Sequence, residues 1–325
     1  MASRRGGLLS VAAALLALAP SAFAQEAPYP SRTVRIIVPF TPGSVTDIMA
    51  RSVSDKLAAS LGQPVIVENR PGAGGTLGTA VVARSAPDGY TLAVVAAGHA
   101  VNPVIYDKLP YDNSKDLAGV IPLGNLPSVL FVSPALGVKS VQELIALAKS
   151  KPGALNYPSA GTGSASHVNA EKFRAVTGIN VVHIPMKGAP EMVSETLAGR
   201  TQFGFVGIAA VLSAVRDGRL IALAVSSVNR APTLPNVPTI AEAGVPGAEF
   251  KFWIGVLAPG PTPRPIVNRL HDEFARALQS PDVRERHANL GAEPMPMSPE
   301  QFDALMREDL ATLGGLLRAA GVKAN

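Results

Sequence analysis

The chain has 325 residues, of which 47% are hydrophobic, 16% are charged and none is cysteine; its net charge is +5. At about 150 residues per domain this length suits two cored domains, and 30 glycines with 29 prolines stay below a low-complexity composition. Having no cysteine excludes disulfide scaffolds, Cys-ligated zinc, iron–sulfur clusters and thiol nucleophiles.

In chain order, the first segment reads as a targeting signal. Arg4 and Arg5 precede the apolar run Leu8 to Ala19, and Ala22-Phe23-Ala24 offers a small-x-small cleavage site. The run is shorter than the roughly 20 residues a membrane span needs. Residues 1–24 are therefore expected to be a signal peptide, with the mature chain starting near Gln25 in the periplasm. Losing Arg4 and Arg5 takes the net charge from +5 to +3, and no basic stripe marks a nucleic-acid partner.

The rest alternates β-rich runs with helical patterns, an α/β arrangement expected to hold largely parallel strands. Val34 to Val38 is a continuous apolar strand. Met49, Val53, Leu57 and Leu61, four apart, mark a helix with one buried face. Strand Val65–Val67, a glycine-rich turn and a helix through Ala83 follow, then strand Thr91–Ala96. Ser140 with Glu143 forms a capping-box pattern opening a helix over Val141–Lys149. Strands are expected at Leu155–Tyr157, Val181–Ile184, Phe203–Val206 and Leu220–Val225. The apolar stretches Pro122–Ser133 and Phe250–Ala258 read as two crossings between lobes, and helices are expected at Pro265–Leu278 and Pro299–Leu317. Residues 25–128 with 254–325 then make one lobe, 129–253 the other, and ligands of such sheets sit beyond the carboxyl ends of strands. No internal repeat stands out.

Four strand-to-helix junctions share one composition: Pro39 to Asp47, Arg70 to Thr76, Ser159 to His167, and Pro185 to Gly188. Each is small, rich in glycine or hydroxyls, and opens a helix whose first N–H groups lack partners and carry partial positive charge. Such junctions suit a carboxylate. Hydrogen bonds to a charged group give roughly 1.5–3 kcal/mol each, so four or five supply about 6–15 kcal/mol, against about 8 for micromolar binding. No arginine clamp is required, although Lys187 is placed to assist, and His99 follows a strand end that can reach the same cleft. Phe40 and Trp253 are candidate lining aromatics.

Enzyme signatures are weak. Gly72-Ala73-Gly74-Gly75-Thr76-Leu77 fails the dinucleotide fingerprint at Leu77, and no Walker A or G-x-S-x-G sequence occurs. The five histidines include no pair three or four apart, so helical metal-ligand spacing is missing, and no cofactor is implied. Asp47 suits stabilisation of its own helix better than general-base chemistry.

Together these segments resemble the substrate-binding receptors of tripartite tricarboxylate transporters, the Bug-type receptors, from about Tyr29 to the C-terminal helices. The resemblance rests on Val38-Pro39-Phe40 through Asp47 with Ala50-Arg51, on Glu68-Asn69-Arg70-Pro71-Gly72-Ala73-Gly74-Gly75, and on Pro87-Asp88-Gly89-Tyr90-Thr91-Leu92. Further matches are Ser159-Ala160-Gly161-Thr162-Gly163-Ser164 with His167, Lys187-Gly188, and Leu234-Pro235-Asn236-Val237-Pro238-Thr239 with Glu242. It implies a type II periplasmic binding-protein fold, two α/β lobes closing on a small organic acid. It also implies ligand contacts at Phe40, Thr41, Gly43, Ser44, Thr46 and Asp47, at Ser159, Ala160, Gly161, Thr162, Ser164 and His167, and at Gly207. The family's first loop usually has two adjacent glycines, whereas Ser44 follows Gly43 here. With the apolar residues after Phe205, this points away from the usual small dicarboxylates toward an aromatic or longer carboxylate.

The leading reading is thus a monomeric receptor that hands a carboxylate to the membrane subunits of such a transporter. A sensor that presents its ligand to a two-component kinase is the alternative, and a hydrolase built on Ser164 and His167 is the third.

Overall fold

The computed structural model describes residues 29–323; the expected signal peptide lies outside the described residues. Among them, no helix is long and apolar enough to cross a membrane.

The first lobe starts with β1 (Val34–Val38), α1 (Val45–Leu61) and β2 (Val65–Asn69), followed by α2 (Thr76–Ala83), β3 (Thr91–Ala96), α3 (Asn102–Ile105) and β4 (Leu117–Asn125). The chain then passes into β5 (Ser128–Val132), α4 (Val141–Ser150), β6 (Asn156–Ser159), α5 (Ala165–Thr177), β7 (Val182–Pro185), α6 (Ala189–Leu197), β8 (Phe203–Gly207), α7 (Leu212–Arg216) and β9 (Ile221–Val225). It returns through β10 (Trp253–Pro259) and closes with α8 (Arg264–Gln279), α9 (Pro281–Asn289) and α10 (Pro299–Ala319).

A five-stranded sheet, ordered β2-β1-β3-β10-β4, forms the first lobe; a three-stranded sheet, β8-β5-β9, and the pair β6-β7 form the second. Strands β1, β2 and β3 pair in parallel, as do β6 and β7. The expectation of largely parallel strands fails elsewhere: β10 is antiparallel to β3 and β4, and β5 is antiparallel to β8 and β9. The reason is connectivity. A chain that leaves and re-enters a lobe through one hinge brings outgoing β4 beside returning β10, and entering β5 beside departing β9. At the hinge, the Leu126 amide donates to the Phe252 carbonyl (2.9 Å) and the Ser226 amide to the Ser128 carbonyl (2.7 Å).

The period-two rule for strands is plain in β5. Leu130 and Val132 join a core under α4 and α5, while Val129 and Phe131 join one against α6 and α7. The first lobe's core runs from β1 to α10 and takes in Ala165 and Val168 of α5, so the lobes are in contact. Two local expectations need correction. Ser140 caps Glu143, but the Glu143 carboxylate reaches the amide of Lys139 rather than that of Ser140; a reciprocal capping box opens α10 instead, at Ser298 and Gln301. Helix α9 was not foreseen, because Pro281-Asp282-Val283-Arg284-Glu285-Arg286-His287 shows few apolar positions.

Candidate ligand-binding cleft

Two glycine–serine junctions open the helices that meet between the lobes. After β1, Gly43 takes a positive φ of 78°, and Ser44 caps α1 by accepting the amide of Asp47. After β6, Gly163 has a φ of 81°, and Ser164 caps α5 by accepting the amide of His167. A positive φ is cheap only for glycine. In each junction the side chain at the third helical position turns back to its glycine. The Gly43 amide donates to Asp47 Oδ2 at 3.0 Å, and the Gly163 amide donates to His167 Nδ1 at 3.1 Å. With the third-position amides taken by the caps, the amides of Val45 and Thr46, and of Ala165 and Ser166, have no acceptor among the described residues.

These ends face a cavity of about 40 Å³, lined on the polar side by Ser44, Thr46, Ser164 and Ser166. Phe40, Val45, Ala96, Ala160, Ala165, Ala189, Met192, Val206, Gly207 and Phe252 complete it, so no charged side chain lines it. A void of this size has room for only a few waters, so an organic acid needs the lobes to part.

Around the cavity the lobes approach closely at glycines. A Cβ on Gly74 would collide with the Thr162 carbonyl, one on Gly98 with the Gly163 carbonyl, and one on Gly188 with the Thr41 hydroxyl. The Tyr106 hydroxyl sits 2.7 Å from the Ala73 carbonyl of its own lobe and 2.6 Å from the Thr162 carbonyl across the seam. Wider clefts of about 310 and 340 Å³ lie beside α10, lined by residues such as Lys115, Arg264 and Arg307, and Lys172, Glu249 and Glu308. Neither holds a pair of opposed helix starts, and the smaller interlobe cavity is the candidate site.

Of the residues singled out in the sequence, Phe40, Ser44, Thr46, Ala160, Ser164 and Gly207 line this cavity. Thr41, Gly161 and Thr162 stand at the seam instead. Asp47 is buried behind the first junction, where its carboxylate also accepts from Arg51 (2.9 Å) and Asn69 (2.9 Å), while Gly43 is exposed. Ser159 is fully buried under the second, 2.6 Å from His183 Nε2 and accepting the Gly161 amide at 3.1 Å. Lys187 is exposed, its amide turned to Glu191 (2.9 Å), and it stands outside the cavity.

His167 stacks on His183, ring centroids 4.1 Å apart, and Tyr157 lies under both. Burial, reinforced by the neighbouring His183, pushes its pKa down to about 3. Its Nδ1 is occupied by the Gly163 amide, so Ser164 and His167 form no nucleophile–base pair. His99 lies in a 3₁₀ turn after β3, stacked on Tyr111, and burial lowers its pKa to about 4. It lines a void of about 10 Å³ shared with Phe40, Asn102 and Ser164; His99 Nδ1 and Asn102 Oδ1 are buried without a partner among the described residues.

Sequence reasoning missed the wall formed by Ala189, Met192 and Phe252. Of the two aromatics expected to line the pocket, Phe40 does so, whereas Trp253 lies in the core, its indole donating to Asp309 (2.7 Å) and edge-on to Phe302. Alternation along an extended chain gives the cavity to its neighbour Phe252. For Met192 the only available signal was its place one turn into the helix after Gly188.

Two α/β lobes joined by paired crossings, with a cleft between them, define a solute receptor of the periplasmic binding-protein class. Residues 49–322 match the family model described as the tripartite tricarboxylate transporter family receptor, and the chain belongs to that family. It is 38% identical to the protein BugT of Bordetella pertussis over 297 residues, 91% of each chain. Among solved structures it is similar to a Rhodopseudomonas palustris protein with adipate (34% identity, TM-score 0.85, covering 90% of this chain and 98% of that one). It is likewise similar to MatC from Rhodopseudomonas palustris with bound malate (34% identity, TM-score 0.85, 89% and 100% covered).

Proposed function

We propose that this chain captures a small organic carboxylate, a dicarboxylate or an aromatic acid, between its lobes and delivers it to the membrane subunits of a tripartite tricarboxylate-type transporter. It works in the periplasm as a monomer, after loss of residues 1–24, with lobe 1 formed by 25–128 and 254–325 and lobe 2 by 129–253. The observation that carries this reading is the meeting of two capped helix starts, each with free amides, across one cavity. The acids held by the two Rhodopseudomonas relatives support it.

Ser44, Thr46, Ser164 and Ser166 supply hydroxyls, and the first turns of α1 and α5 supply N–H groups and partial positive charge. Asp47 and His167 hold the loops that present those groups. A ligand bridging α1 and α5 touches both lobes only when they are shut, so it favours the closed state by its differential affinity, and the transporter reads that state. Calorimetry against a panel of mono- and dicarboxylates at neutral pH is the test. Heat and a thermal shift with at least one acid are expected; none with any would overturn the reading.

A further inference from the structure

Resting on that reading, we propose that the cavity selects a monocarboxylate with an apolar body and that Met192 is the residue that turns away a second carboxylate. The cavity is chemically lopsided. Its hydroxyls and unpaired amides belong to the first turns of α1 and α5, and the adjoining void adds the unpartnered His99 Nδ1 and Asn102 Oδ1 behind Ser164. The wall formed by Ala189 and Met192 of α6, Val206 of β8 and Phe252 of the returning crossing carries no polar side chain.

The charge balance points the same way. Each helix start is equivalent to roughly half a positive charge, so α1 and α5 together offset about one negative charge. Asp47 is paired with Arg51 and adds no net charge, and His167 is neutral. Helix α6 also reaches the cavity at Ala189, but its next residue, Pro190, has no N–H, and Glu191 in its first turn brings its own negative charge. No cationic side chain lines the cavity, and Lys187 is exposed outside it. A second carboxylate would therefore lie against Met192, Val206 and Phe252, stripped of water and unpaired, which is strongly unfavourable. An alkyl or aryl group in the same place exchanges water for apolar contact.

The test is calorimetry of the purified chain at pH 7 with benzoate and isobutyrate against succinate, malate and adipate. At least one of the two monocarboxylates is expected to bind tenfold or more tightly than any of the three diacids. A diacid that binds as tightly or more tightly overturns the selectivity while leaving the carboxylate receptor intact; silence from all five acids overturns both. Met192→Lys, which sets a cation on the apolar wall, is expected to move the mono-to-diacid affinity ratio at least tenfold toward succinate, with Met192→Leu leaving it unchanged. An unchanged ratio in a folded Met192→Lys removes Met192 from the assignment. Should that variant fail to fold, Met192→Gln reads the same ratio, with a threefold move expected and no move counting against Met192.

Discussion

Residues 41–47 and 161–167 build the same object twice, once in each lobe. Ser44 and Ser164 adopt φ/ψ of −66°/155° and −67°/160°; the glycines before them have φ of 78° and 81°. Their amides bond to the carbonyls of Thr41 and Gly161 at 3.1 and 3.0 Å. Only the side chain that ties the loop down differs in kind. In the first lobe it is a carboxylate that also serves Arg51 and Asn69; in the second it is an imidazole that offers one lone pair to Gly163 and stacks on His183. One loop is held by a web of charge-assisted bonds, the other by a single neutral acceptor inside an aromatic stack. Equal geometry thus rests on unequal chemistry, and the two loops should fail differently.

The largest expected effect comes from preventing the two loops from meeting. Gly98 does not have a left-handed φ, so Gly98→Ala leaves its own backbone unstrained, yet the added methyl runs into the Gly163 carbonyl and the Ala165 amide across the seam. Each lobe should fold normally while closure is blocked. Affinity for the tightest acid is expected to fall about 100-fold, some 2.7 kcal/mol, with a thermal midpoint within a few degrees of the parent. Affinity within threefold of the parent by calorimetry would show that closure is not needed.

Breaking the ties themselves should separate the loops. Asp47→Ala removes three charge-assisted bonds and takes the acceptor from the Gly43 N–H and from one hydrogen of Asn69 Nδ2, which keeps its bond to the Phe40 carbonyl (3.0 Å); the expected loss is about 3 kcal/mol in denaturant unfolding. His167→Ala removes one neutral bond and the stack, and about 1.5 kcal/mol is expected. Equal losses would refute the contrast.

The second loop's tie should also respond to acid. Burial lowers the pKa of His167 to about 3 and that of His183 to about 4, with His99 and His287 also near 4. Their unfolded value is near 6.5, so below it the unfolded chain binds protons that the folded chain refuses. The stability these groups contribute is complete above about pH 6.5 and drains away as pH falls toward 3–4. The slope is at most about 1.4 kcal/mol per pH unit for each histidine. Protonated His167 can no longer accept from Gly163, so acid weakens the tie that holds the second loop. His167→Asn, which keeps an acceptor but cannot titrate, is expected to flatten the decline between pH 6.5 and 4 measurably; an unchanged slope would exclude His167 as a contributor.

What could be read from the amino-acid order follows from how local each cause is. The helix of Met49, Val53, Leu57 and Leu61 and the strands Val34–Val38 and Thr91–Ala96 were legible because spacing within a few residues decides them. The junctions were legible as compositions: glycine, hydroxyl, helix start. Beyond that shared composition, their equivalence at Asp47 and His167 went unseen because Thr41-Pro42-Gly43-Ser44-Val45-Thr46-Asp47 and Gly161-Thr162-Gly163-Ser164-Ala165-Ser166-His167 share only Gly-Ser and a hydroxyl two places on. An aspartate and a neutral histidine become equivalent only once both are seen to accept a glycine amide. Strand direction was misjudged because it depends on where the chain crosses the hinge, and Met192 and Phe252 reach the cavity through packing between lobes, which no window of one segment contains.

The smallest effect sharpens the likeness rather than the contrast. Ser44 and Ser164 act as caps through one bond each, at 3.3 and 3.4 Å from the amides of Asp47 and His167. Glycine is itself an acceptable N-cap, so Ser44→Gly and Ser164→Gly should each lower stability by only a few tenths of a kcal/mol, whereas alanine at either place costs about 1 kcal/mol. Ser44→Gly also gives the first loop two adjacent glycines and removes a hydroxyl from the cavity wall. If that hydroxyl bonds the acid, affinity drops more than stability does. A matched fall from Ser164→Gly would establish that the carboxylate is shared between the lobes, and a fall from one variant alone would place it on that lobe's helix.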